Sequence, residues 1–169
     1  MARLTKTTCS NCSAKARIVR GDYKFTESGL PVVLKGIKLI RCSECNNDDP
    51  IIPHMNQLMR AIAVSVLLKP YRLRGEEIRF LRKYLRMSSE EFSGYLGIDK
   101  THLSKWENNA DPVGEQSDRL IRLFTLEFSH ALRSEVKRRL IDIIADISTE
   151  VKRIEITLKT VKDGYAAAA

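Results

Sequence analysis

The sequence predicts an α+β protein. A small β-rich metal-binding segment comes first, followed by an all-α segment with a long C-terminal helix. Three observations carry this. All four cysteines lie near the N-terminus, as Cys9-x-x-Cys12 and Cys42-x-x-Cys45. The stretches between the pairs, KARIVRGDYKF and LPVVLKGIKLIRC, are strand-like and punctuated by Gly21, Gly29, Pro31 and Gly36. From His54 onward, apolar residues recur mainly at helical spacing.

Composition narrows the partners. A chain of 169 residues holds one ordinary domain or two small ones, and 43% hydrophobic residues suffice for a core. Lys plus Arg is 29 against 21 Asp plus Glu, a formal charge of +8. That balance favours an anionic partner, either nucleic acid or a membrane surface. No run approaches the roughly 18 apolar residues of a membrane span. The opening MARLTKTTCSNC lacks the apolar core of a secretory signal. A cytoplasmic protein with reduced thiols is expected, and there four cysteines point to a metal before disulfides.

The elements follow in order. Residues 1–52 form the zinc-binding domain, with NNDDPIIP as its closing loop. Residues 53–70 form a linker helix, HMNQLMRAIAVSVLLK, which starts after Pro53 and stops before Pro70. Residues 71–128 form a helical domain. Its first helix, 75–86, turns Ile78, Leu81 and Leu85 inward. Ser88 and Glu91 have the spacing of a capping box for the second, whose apolar side is Phe92, Tyr95 and Leu96. Gly97 makes a turn, Ile98 plugs it, and Asp99 caps a third helix with Leu103 and Trp106 inward. Gln116 or Ser117 opens a fourth, with Leu120, Leu123 and Phe124 closing the core. Residues 129–169 are assigned to a C-terminal helix running to about 164. There Leu140, Ile144, Ile147, Val151, Ile154, Leu158 and Val161 follow heptad steps, as in a dimer-forming coiled coil. The alternative is a helix packed on its own chain. The zinc and helical halves are expected to have separate cores.

Two CxxC pairs let two tight turns present four thiolates to one tetrahedral ion. One structural Zn²⁺ per chain, on Cys9, Cys12, Cys42 and Cys45, is expected, with no open position for a reacting water. Disulfides, free thiols and an Fe–S cluster are the alternatives. His54 is the nearby alternative ligand, though a His before a helix is more often a capping or surface residue. The three histidines, His54, His102 and His130, are scattered, and Asp48-Asp49 stands alone, so an enzyme is not expected.

The third helix poses a sharper question. With Leu103 and Trp106 inward, Lys100, Thr101, Ser104 and Lys105 turn outward. In a helix-turn-helix that face enters the major groove, where Lys donates to guanine and Thr meets a base edge or a thymine methyl. The expected DNA-binding set is Ser89, Lys100, Thr101, His102, Ser104, Lys105 and Asn108. Ser89, at a helix N-terminus, is suited to a phosphate. Arg72, Arg74, Arg79, Arg82, Lys83 and Arg86 add a basic approach surface. Ordinary solvent-facing residues of a helical bundle are the plainer explanation of both sets.

SSEEFSGYLGIDKTHLSKWENNADP resembles the XRE/Cro helix-turn-helix, and CSNC followed by LPVVLKGIKLIRCSEC resembles the YgiT-type zinc-binding domain. Together they resemble the MqsA-type antitoxins over roughly residues 9–128. The resemblance implies a structural zinc, a flexible hinge and a DNA-binding homodimer. It also implies repression of the operon encoding antitoxin and toxin, on double-stranded operator DNA. The family's zinc domain contacts the toxin, an RNA-cleaving protein in the best-known case. Here a strand near Val32–Ile37 is the expected edge for that contact. The family reads bases with an Asn and an Arg of the recognition helix. Thr101 and Lys105 stand at those positions here, a departure that bears on which DNA sequence is read. The family also usually ends soon after the helix-turn-helix, unlike this chain. A zinc-ribbon helix-turn-helix regulator without a toxin partner is the alternative.

Overall fold

The computed structural model describes residues 6–162 and 164–168. The α+β class holds, with one addition: the chain returns to the sheet at its C-terminus. The strands are β1 (Lys6–Thr8), β2 (Lys15–Phe25), β3 (Val32–Cys42), β4 (Asp48–Ile51), β5 (Ile156–Val161) and β6 (Gly164–Ala167). Between β4 and β5 come α1 (Met55–Leu67), α2 (Gly75–Tyr84), α3 (Ser89–Leu96), α4 (Lys100–Glu107), α5 (Glu115–Phe128) and α6 (His130–Ala145).

The long β2–β3 hairpin organises the sheet. Its register steps at Gly21↔Ile37 and Tyr23↔Leu34, so Lys35 and Gly36 together face Asp22. The Asp22 carboxylate accepts the Gly36 N–H at 3.0 Å and the Lys35 ammonium at 2.8 Å, which satisfies the backbone the bulge leaves unpaired. The bulge also divides the far edge of β3. Residues Lys38–Arg41 pair antiparallel with β4, and Val32–Lys35 pair parallel with β5. Val32–Lys35 is therefore interior to the sheet, so the stretch Val32–Ile37 is not the free edge expected. NNDDPIIP likewise contributes a strand: Arg41 holds Asp48 through two 2.7 Å bonds across the β3–β4 register.

The expected C-terminal helix ends at Ala145. Asp146, Ser148 and Thr149 follow, residues whose side chains compete for backbone partners, and the Ser148 hydroxyl accepts the Glu150 N–H. The next segment runs beside residues 69–72, bonded from Ser148 N–H to the Pro70 carbonyl and from Arg72 N–H to the Glu150 carbonyl. It then becomes β5, burying Ile156 and Leu158 at strand spacing. The heptad positions thus split. Leu140 and Ile147 are buried in their own chain, Leu158 belongs to a strand, and Val151 and Val161 are exposed. A coiled coil over Leu140–Val161 is excluded. Dense β-branching made β5 the better use of these residues once the edge of β3 was open to them.

One buried cluster runs from Leu34, Ile37 and Leu39 of the sheet through Leu58 and Ile62 of α1 to Leu81, Phe92, Leu103 and Ile121. The separate cores expected for the two halves are one core. A smaller cluster, Cys9, Ala16 and Cys42, lies under the cysteine turns. Charged groups also cross the middle. Arg122, fully buried, donates to the carbonyls of Leu67, Lys69 and Tyr71 and to Asp118, so α5 closes the C-terminal end of α1. Asp118 in turn accepts the Leu73 N–H at 2.6 Å. Lys69 pairs with Glu77 and donates to the Lys152 carbonyl. Burial pushes Glu77 up and Lys69 down, each toward its neutral form, while the pairing opposes both.

Candidate metal centre and candidate nucleic-acid interface

The two CxxC turns are local copies of each other. CSNCS joins β1 to β2 and CSECN joins β3 to β4. In each, the residue two after the first Cys donates its N–H to that Cys sulfur at 3.4 Å, from Asn11 to Cys9 and from Glu44 to Cys42. In each, the first Cys N–H returns to the carbonyl five residues on, Ala14 or Asn47. In each, the residue after the second Cys is left-handed, Ser13 at φ 59° and Asn46 at φ 54°. Asp49 ties the turns together, accepting from the Ser10 hydroxyl and the Asn47 amide, and those bonds hold its carboxyl below the usual range.

The sheet brings the turns face to face. All four sulfurs lie within 4.8 Å of one another. Cys9 Sγ is 3.5 Å from Cys45 Sγ, and Cys12 Sγ is 3.6 Å from Cys42 Sγ. A tetrahedral ion with metal–sulfur bonds of about 2.3 Å requires sulfur–sulfur edges of about 3.8 Å. A disulfide requires about 2.05 Å, and all four cysteines are free. The donor set therefore fits a metal ion. Electrostatics point the same way. The N–H groups of Cys12 and Asn11 draw the Cys9 thiol down to about 7. The Ala14 N–H favours the Cys12 thiolate too, but the thiols of Cys45 and Cys42 push it up to about 12. Four sulfurs this close ionise together only around a cation.

The helical half keeps its expected elements. Ser88 and Glu91 make both bonds of the capping box, at 3.2 and 2.8 Å. Gly97 turns in the left-handed region at φ 69°. The Asp99 carboxylate caps α4 by accepting the His102 N–H at 2.8 Å. Leu103 and Trp106 are buried, and Lys100, Thr101, Ser104 and Lys105 are exposed on the opposite face. His102 is exposed but rests edge-on against Trp106 at 4.7 Å. Ser89 is half-buried at the start of α3. Lys105 stands 3.8 Å from Asp111, both more than half exposed, a pair of little energetic weight.

Other expectations change. Asn108 is held internally. Its amide donates to the Ser104 carbonyl and hydroxyl, and its oxygen accepts from Arg79 at 2.6 Å. Arg79 and Arg82 both bind Glu107, Arg74 binds Glu76, and Arg72 reaches Val113 and Glu115. Of the basic approach surface, Lys83 and Arg86 remain exposed. Leu120, Leu123 and Tyr95, expected inward, are exposed; Ile121, Arg122, Thr125 and Leu126 hold the buried face of α5. The rings of Phe124 and Phe128 stack, and Tyr95 lies tilted against both.

The residues that sequence reasoning missed are those that hold α4 in place. The Asn109 side chain accepts the Gly75 N–H at 2.8 Å and donates to Glu76. A Cβ at Gly75 would lie 2.2 Å from the Trp106 carbonyl oxygen, so that position admits only glycine. WENN is thus a clamp: a buried ring, an acid on two arginines, and two amides that join the end of α4 to α2. The signal available was the dense run of polar residues directly after a buried Trp.

No protein-family model and no curated protein matches this chain. What stands is a four-cysteine cluster on a β-rich segment, followed by helices. Among the described residues no helix is long and apolar enough to cross a membrane.

Proposed function

We propose that this protein is a sequence-specific DNA-binding transcriptional regulator, the antitoxin of a type II toxin–antitoxin pair that represses its own operon. The observation that carries the reading is the outward face of α4. Four short polar or cationic side chains project from a helix whose back is buried and whose two ends are tied down. Such a helix keeps its geometry when inserted in a major groove, so its side chains meet base edges without a new ordering cost. Lys100 and Lys105 donate to guanine or phosphate, Thr101 meets a base edge, and the +8 charge steers the approach. Zn²⁺ on Cys9, Cys12, Cys42 and Cys45 holds the two turns. Four protein thiolates fill its shell and leave no position for a reacting water, so the ion is structural.

A toxin would use the sheet. Among the described residues β1 covers only Lys15–Arg17 of β2, leaving Ile18–Phe25 as a long open edge. An extended partner segment can add there. One observation favours a regulator without a toxin: β5 fills the part of β3 first expected to receive one. The deciding measurement is binding to the chain's own promoter by fluorescence anisotropy over a salt series. The product of the adjacent gene is tested for co-purification. Salt-dependent, sequence-specific binding supports the regulator, and a stable complex with the neighbour supports the antitoxin. Equal affinity for promoter and scrambled DNA would end the DNA reading.

A further inference from the structure

A cavity of about 640 Å³ lies where the β2–β3 turn, the start of α1, the end of α2 and the end of α5 meet. Its size suits a small organic ligand. The floor is aromatic. Phe80 and Tyr84 stack with centroids 6.2 Å apart and planes at 21°, and Phe128 adds a third ring from α5. The rim is cationic. Lys83 and Arg86 are both exposed there, and among the described residues no ion pair or hydrogen bond engages either side chain. Their neighbours on α2 differ, since Arg79 and Arg82 are held by Glu107. Glu27 is the acid of the lining and accepts the Tyr23 hydroxyl at 3.3 Å. Arg86 has a second peculiarity. Its backbone is left-handed at φ 59°, where glycine is less costly, so the cation stands at the rim against a backbone preference.

We propose that this cavity binds a small organic anion: a flat apolar body on the aromatic floor, with its carboxylate, sulfonate or phosphate between Lys83 and Arg86. Burying the body supplies affinity, and the two cations fix the orientation and select the charge. The occupant touches α1 and α2 together, and so bridges the sheet-bearing and helical parts of the chain. The site does not depend on DNA binding.

The test uses the full-length protein with 1-naphthoate as probe and 1-naphthalenemethanol as its neutral counterpart, followed by ¹H–¹⁵N correlation spectra. Naphthoate is expected to give saturable shifts at the amides of residues 56–60 and 83–86. The alcohol is expected to bind about tenfold more weakly, the size of one well-placed charge contact. Arg86→Gly suits the backbone, so it removes the cation without unfolding the chain, which circular dichroism checks. Arg86→Gly and Lys83→Ala should each weaken naphthoate severalfold, and together abolish the preference over the alcohol. The proposal is overturned by absent or non-saturable shifts, by equal affinity for the two probes, or by a double variant that keeps the preference. Shifts centred on the exposed Tyr95 and Leu123 would overturn it as well.

Discussion

Single residues at the end of α4 do more than their exposure suggests. Glu107 is only 7% exposed and accepts from Arg82 at 2.6 and 3.0 Å, with Arg79 beside it. Removing the acid leaves Arg82, itself only 11% exposed, without its partner. Glu107→Ala is therefore expected to cost about 3 kcal/mol in urea unfolding, as for other broken buried pairs. Arg79 is 40% exposed and keeps water as an alternative, so Arg79→Ala should cost under about 1 kcal/mol. Equal costs would show that the clamp is not organised around Arg82. The same geometry reassigns Arg79. Expected as part of a basic approach surface, it is first a brace between α2 and α4. Its role was not legible because charge and helical spacing cannot say whether an arginine faces DNA or an acid folded back from a distant helix. The cysteine quartet was legible, because two CxxC spacings constrain the local turns on their own.

At the scale of elements, caps were the reliable signal and long periodicity the unreliable one. The Ser88–Glu91 box and the Asp99 cap form where their spacing placed them, since each is settled within one helical turn. The C-terminal run failed because Leu158 fits a heptad and a strand alike, and only the edge of β3 decides between them. The Asp99 cap carries a pH prediction. Its carboxyl is held below the usual range, first by the His102 N–H. A depressed folded pKa means that the cap's contribution is full above the unfolded value of about 3.9 and is lost as pH falls through the folded value. The His102 amide shift should therefore titrate below that value, ahead of global unfolding. An amide unmoved by acid until the whole chain unfolds would contradict the cap. The cysteine turns carry another. Elemental analysis should find one zinc per chain, and Cys42→Ser should lose it; no zinc, or intact disulfides by mass spectrometry, would refute the centre.

For the whole molecule, the continuous core changes how the halves should behave. The sheet, α1 and the helices share buried residues from Leu34 to Ile121, and Arg122 and Lys69 bind across the join. Loss of zinc should therefore reach Trp106, the single tryptophan, which lies in the helical part. Chelation should lower the midpoint of its fluorescence transition; an unchanged midpoint would restore two independent units. The dimer surface to test is a different one from the excluded coiled coil. Tyr95 is 59% exposed, and Leu120, Leu123 and Phe128 are each near 45%. Leu120 and Leu123 share the outer face of α5, and the Tyr95 and Phe128 rings lie 5.2 Å apart beside it. An apolar face of this kind marks an interaction surface. Under the proposed DNA-binding reading the partner is a second copy, because a two-fold operator requires two copies related by a two-fold axis. The face is self-complementary in chemistry, apolar against apolar, and each large side chain it buries contributes roughly 1.5–3 kcal/mol. Full-length protein should sediment as a dimer at micromolar concentration. Leu120→Lys with Leu123→Lys should sediment as a folded monomer, because neither residue belongs to the buried core. Promoter affinity should fall by more than about tenfold in that variant, since one half-site then binds alone. A monomeric parent protein, or a double variant that still dimerises, would place the two-fold contact elsewhere. A folded monomer with undiminished promoter affinity would show that α4, if it reads DNA at all, reads it from a single copy.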